Sequence, residues 1–253
     1  MDRPTLLLER LNEIGASLER TGKAYALLGL GSVGLELGKL DEYSDLDFFA
    51  IVQEGYKQDF LDNLNWLSDI NQIDYAVRNT VDGYKVLYKD GVFCEFAVFE
   101  PQELTGIPFA EGRIVWQQAD FNSQSCIPKP HQANQNSDLE WIIGEALTNL
   151  YVGMCRYKRG EKLSGMRFVQ SFALDRLIEL AERIETPSPE LADQFMSDRR
   201  LEVRFPEFAR LLPSFTQGYE RTPESTTAQL SFLNTHFRIN QAMRARILDL
   251  CEM

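Results

Sequence analysis

The sequence GLGS at residues 29–32, together with SDLDF at residues 44–48, decides the predicted fold of the first half of this chain. GLGS ends the apolar run from Tyr25 to Leu30, which is typical of a buried strand. SDLDF begins the run from Asp45 to Val52, which is rich in Phe, Ile and Val and predicts a second strand. The glycines between the two runs allow the backbone to turn tightly into a short helical turn.

On either side of these two strands, the sequence predicts the rest of a small mixed sheet backed by helices. Asp-Gly dipeptides at residues 82–83 and 90–91 are strong turn signals for antiparallel hairpins. The further predicted strands are Ile73 to Arg78, Tyr84 to Tyr88, Val92 to Phe99 and Arg113 to Gln117, and the predicted helices are Thr5 to Arg20, with Leu7, Leu11, Ile14 and Leu18 on one face, and Asp59 to Leu67.

The second half of the chain has the apolar spacing of helices. A capping-box pattern of Ser137 and Glu140 begins the first helix, and Gly160 ends it. A second helix is predicted from about Ser164 to Ile184, and a final helical region from Pro223 to Leu250. The residues of the second helix that are expected to face inward are Val169, Phe172, Leu177, Ile178 and Ala181.

The composition changes between the two halves. From about Asn122 to Asn136 the chain is rich in Ser, Gln, Asn and Pro, which indicates a domain boundary. The sequence therefore predicts an α+β protein with two domains. The first, at residues 1–125, is a mixed sheet with flanking helices, and the second, at residues 137–253, is a helical bundle.

Composition and charge limit the classes of function. A hydrophobic content of 44% over 253 residues is that of a globular protein with a substantial core. The net charge of -12 argues against a protein that mainly holds long DNA or RNA, because that affinity comes from cationic side chains on phosphates. No apolar run is long enough to span a membrane, and no signal peptide is evident. The 4 cysteines form no CxxC pair, and we expect reduced thiols in a cytoplasmic protein.

Asp45 and Asp47 are the first candidate site residues. In a strand, two side chains separated by one residue point to the same side, because successive residues alternate between the faces. Two like charges a few ångströms apart raise each other's proton affinity unless a cation neutralises them. Carboxylate oxygens at this spacing suit Mg²⁺, which also binds the phosphates of a nucleotide. The alternative is an ordinary pair in a turn or helix cap.

Two further features complete the predicted site. Between a strand end and a helix start, exposed backbone N–H groups around Gly31 and the Ser32 hydroxyl provide a cradle for phosphate oxygens. Glu95 lies in an otherwise apolar strand, where a charged group needs a partner or a shared cation. We expect Asp45, Asp47 and Glu95 to form a carboxylate cluster on neighbouring strands. The alternative for Glu95 is a salt-bridged strand residue on an exposed face.

These residues, taken in chain order, carry a resemblance to a known superfamily. The GS pair at residues 31–32, the DLD triplet at residues 45–47 and the later carboxylate Glu95 resemble the motif of the DNA polymerase beta-type nucleotidyltransferases. The segment RGEKLS at residues 159–164, which runs into MRF at residues 166–168, is similar to lincosamide nucleotidyltransferases of the two-domain, dimeric type. The two resemblances together cover most of the chain.

The resemblance implies a reaction and a set of roles. A hydroxyl of an acceptor attacks the α-phosphorus of a metal-bound nucleoside triphosphate, and pyrophosphate leaves. The implied roles are Mg²⁺ binding for Asp45 and Asp47, phosphate contact for Gly31 and Ser32, nucleotide binding for Lys162 and Arg167, and proton acceptance for Glu95. Glu145, on the first helix of the second domain, is the alternative base. The resemblance also implies AMP transfer from ATP, a small acceptor such as a lincosamide antibiotic, and a homodimer.

Three other functions fit parts of the sequence. GLGSVG at residues 29–34 matches the GxGxxG pattern of dinucleotide-binding folds, but the remaining strands are predicted to lack parallel crossovers. An antitoxin-like nucleotidyltransferase that acts on or binds a protein partner is usually a single short domain, and this chain is longer. A degenerate binding module is disfavoured because Ser32, Asp45, Asp47 and Glu95 are all present.

Overall fold

The computed structural model describes residues 1–128, 138–188 and 196–252. The chain divides into two compact units, Met1–His131 and Gln132–Met253. The first unit contains a mixed sheet with flanking helices, and the second is built from helices. The predicted α+β class is therefore confirmed. No helix within these described ranges is long and apolar enough to cross a membrane.

The sheet of the first unit has six strands within the described residues, in the order β3-β4-β5-β2-β1-β6. Its strands are β1 (Ala24–Gly29), β2 (Leu46–Val52), β3 (Ile73–Arg78), β4 (Gly83–Tyr88), β5 (Phe93–Phe99) and β6 (Arg113–Gln117). The two hairpins predicted from the Asp-Gly turns are confirmed, because β3 and β5 both pair antiparallel with β4. The expectation that the remaining strands lack parallel crossovers was wrong for β5, since β2 and β5 pair in parallel.

Helix α1 (Arg3–Thr21) packs on one face of this sheet. The Asp2 carboxylate accepts a hydrogen bond from the Thr5 backbone N–H at the start of α1, and Gly22 ends the helix in a left-handed conformation. The apolar face predicted for this helix is confirmed, because the four residues expected to form it are fully buried: Leu7, Leu11, Ile14 and Leu18. They pack against the buried side chains of β2, β4 and β5.

The helix predicted at residues 59–67 is two short helices, α2 (Lys57–Asp62) and α3 (Asn65–Ser68). The break has a local cause. Asn63 has an extended backbone, and its side-chain oxygen accepts a hydrogen bond of 2.9 Å from the Asn65 backbone N–H. The asparagine thus ends α2, and its side chain satisfies the first backbone N–H of α3, which the apolar spacing alone does not reveal.

The second unit begins with α4 (Leu139–Lys158). Ser137, predicted to cap it, lies outside the described residues, and the Asp138 carboxylate accepts from the Glu140 backbone N–H at 3.0 Å. The predicted second helix is confirmed, but it contains a π-helical segment at Phe168–Ala173 between α5 (Lys162–Arg167) and α6 (Leu174–Ala181).

The prediction that Phe172 faces inward was wrong, since this residue is 48% exposed. Its ring instead contacts that of Phe168, with centroids 5.1 Å apart. Phe172 lies inside the π-helical segment, where a turn holds more residues than an α-turn, so the regular helical spacing does not apply to its side chain. The other residues expected to face inward are buried: Val169, Leu177, Ile178 and Ala181.

The remaining described helices of this unit are α7 (Leu201–Arg204), α8 (Pro206–Ala209), α9 (Leu212–Phe215), α10 (Thr222–His236) and α11 (Gln241–Cys251). The three short helices α7, α8 and α9 were not predicted. The final helical region is two helices because Phe237 is extended and the Asn240 side chain accepts from the Met243 backbone N–H at 3.0 Å.

Candidate functional site

Strand β2 presents different residues on its two faces. Leu46, Phe48 and Ala50 are buried against the α1 side of the sheet, whereas Asp47 and Phe49 lie half-buried on the opposite face. Asp45 is also half-buried and directly precedes the strand. The face that carries Asp47 is called the open face below. Its far end is covered, because Phe49 packs against Phe99 and Phe109.

The turn after β1 lies directly beside Asp47. The Leu30 backbone N–H donates to the Asp47 carbonyl oxygen at 2.8 Å. Gly31 has a φ of 51°, and a methyl group added to it would lie 3.8 Å from Oδ2 of Asp47. Ser32 is half-buried in the 3-10 turn Gly31–Val33 that follows. The predicted glycine-serine turn and the second aspartate of the pair are therefore neighbours.

This turn is held from two sides. A methyl group added to Gly34 would lie 2.6 Å from the Gly29 carbonyl oxygen, so only glycine allows the backbone to fold back this closely. From β6, Nη2 of Arg113 donates to the Val33 carbonyl oxygen at 3.1 Å. Arg113 was not identified from the sequence. It places a cationic side chain beside the turn proposed to meet phosphate.

Glu95 reaches the same face through strand pairing. In the parallel β2–β5 ladder Glu95 pairs with Asp47, and in the antiparallel β4–β5 ladder it pairs with Lys85. Its two carboxylate oxygens have separate partners. Oε2 lies 3.0 Å from Nζ of Lys85, and Oε1 accepts from Nδ2 of Asn79 at 2.8 Å. The contacts of Glu95 are thus those of the alternative interpretation, in which Glu95 is a salt-bridged strand residue.

The cluster of three carboxylates is not preassembled. Among residues 1–128, 138–188 and 196–252, no group of three or more His, Cys, Asp and Glu side chains is arranged to hold a metal ion. The expectation that Asp45, Asp47 and Glu95 converge on one cation was wrong in this respect. The physical reason is the contact of Glu95 with Lys85, which supplies the opposite charge that a buried or half-buried carboxylate needs.

The aspartate pair by itself fits a Mg²⁺ ion. Asp45 and Asp47 supply hard oxygen donors at the start of one strand, and both are half-buried, which leaves access to water. Magnesium keeps several waters and is commonly bound by one or two carboxylates together with the phosphates of a substrate. A third protein carboxylate is therefore not required. The neighbouring turn at Gly31 is where those phosphates would lie.

The carboxylates also affect a residue on the other face. The pKa of the Cys94 thiol is raised to about 12, chiefly by burial; Arg10 opposes the rise, and the charges of Asp45 and Asp47 add to it. Cys94 lies between Phe93 and Glu95 in β5 and is fully buried. Its thiol therefore stays protonated at neutral pH and is a packing residue rather than a nucleophile or metal ligand.

Three other predicted site residues lie in the second unit. Lys162, at the start of α5, forms an ion pair of 3.0 Å with Glu220, and its ammonium lies over the ring of Tyr157. Arg167 is exposed at the end of α5, and Glu145 is half-buried on α4. Their roles toward a nucleotide stay predictions.

Two of the three residues that the sequence analysis did not identify, Lys85 and Asn79, have a recognisable signal in the sequence. Lys85 and Asn79 contact Glu95 because the β4 hairpins fix the register across from it. The Asp90-Gly91 turn predicts the β4–β5 hairpin, and the register of that hairpin places Lys85 opposite Glu95. Arg113 has no comparable signal, because its contact with Val33 depends on the pairing of β6 with β1.

Comparisons with known proteins give only distant likenesses. No protein-family model matches this sequence, and no curated protein matches it. An aminoglycoside 6-adenyltransferase from Bacillus subtilis shares 10% identity over 95% of this chain and 89% of its own, with a TM-score of 0.29. A STING-associated CdnE c-di-GMP synthase from Capnocytophaga granulosa shares 13% identity over 98% of this chain and 79% of its own, also with a TM-score of 0.29. At these scores neither likeness supports a fold or a function.

Proposed function

We propose that this chain is a Mg²⁺-dependent nucleotidyltransferase that transfers AMP from ATP to a hydroxyl group of a small molecule. The observation that carries the proposal is the position of Asp47. Its carboxylate lies beside the Gly31–Val33 turn and in register with Glu95 on the neighbouring parallel strand. In this proposal the turn that would hold phosphate, the carboxylate that would bind the metal and the candidate base all lie on the open face of the sheet.

In this proposal the aspartate pair and the turn hold the nucleotide. Asp45 and Asp47 would bind Mg²⁺, and the ion supplies charge neutralisation at the phosphates when it is bound. The Gly31 backbone and the Ser32 hydroxyl would contact the terminal phosphates, and the absence of a side chain at Gly31 keeps the approach beside Asp47 open. The guanidinium of Arg113 holds the turn in place through the Val33 carbonyl oxygen.

The chemical step forms one bond and breaks another. The acceptor oxygen bonds to the α-phosphorus, the bond from that phosphorus to the bridging oxygen breaks, and pyrophosphate leaves with the electron pair. Glu95 takes the proton of the attacking hydroxyl. A positioned carboxylate of this kind contributes about a hundred- to ten-thousand-fold in rate. Lys85 and Asn79 hold the Glu95 carboxylate on the open face before substrate binds.

Several parts of the proposal rest on the sequence resemblance. They are the catalytic role of residues 1–125, nucleotide contacts from Lys162 and Arg167, a homodimer, and a lincosamide-type acceptor, whereas the helical domain at residues 137–253 and the cytoplasmic location are predicted from apolar spacing and composition. Glu145 stays the alternative base. The function in antibiotic resistance follows only if the acceptor is such a compound.

A thermal-shift experiment tests the nucleotide half of the reaction. A ligand that binds only the folded protein at about a hundred times its Kd stabilises it by about 2.7 kcal/mol. We expect ATP with Mg²⁺ to raise the Tm and ATP with EDTA to raise it less. Asp47→Asn should lose the Mg²⁺-dependent part, while Asp74→Asn, at an exposed residue of β3, should keep it.

A coupled assay for pyrophosphate release then tests turnover with lincomycin and with kanamycin as acceptors. Transfer to either compound supports a nucleotidyltransferase and identifies the acceptor class. If none of the four common nucleoside triphosphates gives a Mg²⁺-dependent shift, the proposal is wrong. A Mg²⁺-dependent shift that Asp47→Asn leaves unchanged would show that the metal binds elsewhere.

A further inference from the structure

The open face continues beyond Glu95 onto strands β4 and β3. Residues that pair directly across a sheet present their side chains on the same face. In one row Asp47 pairs with Glu95, Glu95 with Lys85, and Lys85 with Val77. The carboxylates and the edge strand of the sheet are thus connected by a single line of paired residues.

The adjacent row on this face is apolar. Phe93 of β5 pairs with Leu87 of β4, and Leu87 pairs with Tyr75 of β3. Since side chains alternate along a strand, this row lies on the same face as the row with Glu95. The four apolar residues that continue the open face, called the outer strip below, are Phe93, Leu87, Tyr75 and Val77.

The outer strip is accessible although its residues are large and apolar. Tyr75 is 54% exposed, Val77 38% and Leu87 36%. On the reverse side of β4, Val86 and Tyr88 are buried in the core beneath α1, whereas the edge strand β3 is exposed on both faces. Contiguous exposed apolar surface that borders charged groups is typical of a binding site.

We propose that the outer strip binds the apolar face of the hydroxyl acceptor, which makes the acceptor an amphipathic molecule with a hydroxyl near one end. This inference rests on the proposed function, since the acceptor hydroxyl must lie at Glu95. Neighbouring strands are about 4.8 Å apart, so β3 lies roughly 10 Å from β5. A molecule of two linked rings spans that distance.

The side chain of Lys85 lies between Glu95 and Val77 of the outer strip but does not separate the carboxylate from the strip. Its ammonium lies 3.0 Å from Oε2 of Glu95, which directs the charge toward the carboxylate. The methylene stem of a lysine held in this way adds apolar surface to its neighbours. The combination of aromatic, aliphatic and carboxylate groups suits a ligand that has both an apolar body and a polar, hydroxylated end.

A second copy of the chain suits the strip less well. The edge that such a copy would pair with is β3, and this strand has a register irregularity between Ile73 and Tyr75. A bulge at an edge twists the backbone and interrupts the row of hydrogen-bonding groups that another strand needs. The charged side chains of Asp74 and Arg78 also occupy this short strand.

Isothermal titration calorimetry tests the inference with two probes, lincomycin and α,β-methylene-ATP with Mg²⁺. The test variant is Tyr75→Ser combined with Val77→Thr. The matched control is Ala76→Ser combined with Val81→Thr, because Ala76 is on the reverse face of β3 and Val81 is a 76% exposed residue outside the strands. We expect the test variant to bind lincomycin about tenfold more weakly and the control to match the wild type.

The two probes separate the possible failures. Equal lincomycin affinity in the wild type and in the Tyr75→Ser/Val77→Thr variant overturns the inference. So does a wild type that binds α,β-methylene-ATP but not lincomycin, and in that case the nucleotide chemistry stands. A wild type that binds neither probe overturns the proposed function as well. If light scattering shows a dimer that the variant converts to a monomer, the strip is a contact between copies and the acceptor inference is wrong.

Discussion

The two faces of strands β2 and β5 carry side chains of opposite character. On the α1 side, Phe48 and Phe96 stack with ring centroids 5.2 Å apart and are almost fully buried. On the open face, one residue earlier in each strand, Asp47 and Glu95 are half-buried and polar. The alternation of a strand thus lets adjacent residues serve stability and chemistry separately.

The largest expected effect is loss of turnover on the open face. In Glu95→Gln the amide cannot accept the acceptor proton, so we expect kcat to fall about a hundred- to ten-thousand-fold. The Tm should change little, because the Glu95 side chain is 42% exposed and its ion pair with Lys85 lies at the surface. Pyrophosphate release and thermal unfolding measure the two quantities.

Glu145→Gln is the matched control, since it removes the alternative base on α4. We expect it to keep turnover within about twofold of the wild type, as for surface substitutions that touch no reacting group. The opposite pattern, in which Glu145→Gln is inactive and Glu95→Gln is active, would assign the base to the second unit. It would also limit Glu95 to the structural ion pair seen with Lys85.

The buried face should show the reverse pattern. Phe48→Ala removes a ring that is 1% exposed and packs against Phe96 and Trp66. Such a cavity costs about 3–5 kcal/mol of unfolding free energy. Leu87→Ala, at a residue that is 36% exposed on the open face, should cost under about 1 kcal/mol. Urea denaturation measures both. Equal losses would show that the outer strip is packed rather than accessible.

Much of this two-faced arrangement could be predicted from the sequence. The apolar alternation around Asp47 and the Asp-Gly turns specify the strands and the hairpins, because both are local signals. The parallel pairing of β2 with β5 could not be predicted. The turns show that β5 pairs with β4, but no local signal shows which strand lies on the other side of β5. That pairing brings Glu95 next to Asp47.

The geometry of the charged groups was harder to predict than their identity. The sequence analysis selected Asp45, Asp47 and Glu95 because they are acidic residues among apolar ones. That criterion does not show whether a cationic side chain will pair with them. The salt bridge from Lys85 takes up one oxygen of Glu95 and therefore alters the expected cluster. Phe172 shows the same limit in the second unit, since a π-helical segment is a departure from the period on which helix predictions depend.

The buried face also contains a charged side chain, that of Arg10, which extends the comparison. Its side chain is 5% exposed, and Nη2 donates to Oδ2 of Asp90 at 2.6 Å. Asp90 also accepts from the Asn71 side chain and the Val92 backbone N–H, so all its contacts need an acceptor. In Asp90→Asn an amide NH2 group replaces one of the two acceptor oxygens. This group faces one of the donors and cannot accept a hydrogen bond from it. We expect a loss of about 1.5–3 kcal/mol in unfolding free energy at pH 7.

The effect of Asp90 should depend on pH. Burial raises the pKa of this carboxyl, but the hydrogen bonds from Arg10 and Val92 outweigh burial and hold the pKa below its ordinary value of 3.8. A group with a lowered folded pKa stabilises the fold above its unfolded pKa and loses that contribution as the pH falls through the folded value. The difference between wild type and Asp90→Asn should be constant from pH 7 to pH 5 and shrink only below 3.8.

Glu13→Gln serves as the comparison for this pair. Glu13 also contacts Arg10, at 2.9 Å, but its side chain is 56% exposed. Exposed ion pairs contribute about 0–1 kcal/mol, so the loss should be smaller than in Asp90→Asn. Equal losses of unfolding free energy in the two variants would mean that Arg10 is stabilised equally by Glu13 and Asp90 and that burial does not strengthen the contact with Asp90.

The smallest expected effect concerns Lys85, which connects the carboxylates to the outer strip. Both Lys85 and Glu95 are 42% exposed, and an exposed pair is worth up to about 1 kcal/mol, or roughly fivefold in rate. If Lys85 positions the base, Lys85→Met lowers kcat by that amount, leaves the KM for ATP unchanged, and Lys85→Arg restores most of the loss. Lys89→Met, which removes an exposed lysine bonded to Gln72, should have no effect on kcat.

A loss of kcat in Lys85→Met that exceeds the loss in Glu95→Gln would instead mean that the Lys85 ammonium contacts the substrate itself, because a positioning residue cannot contribute more than the group it positions.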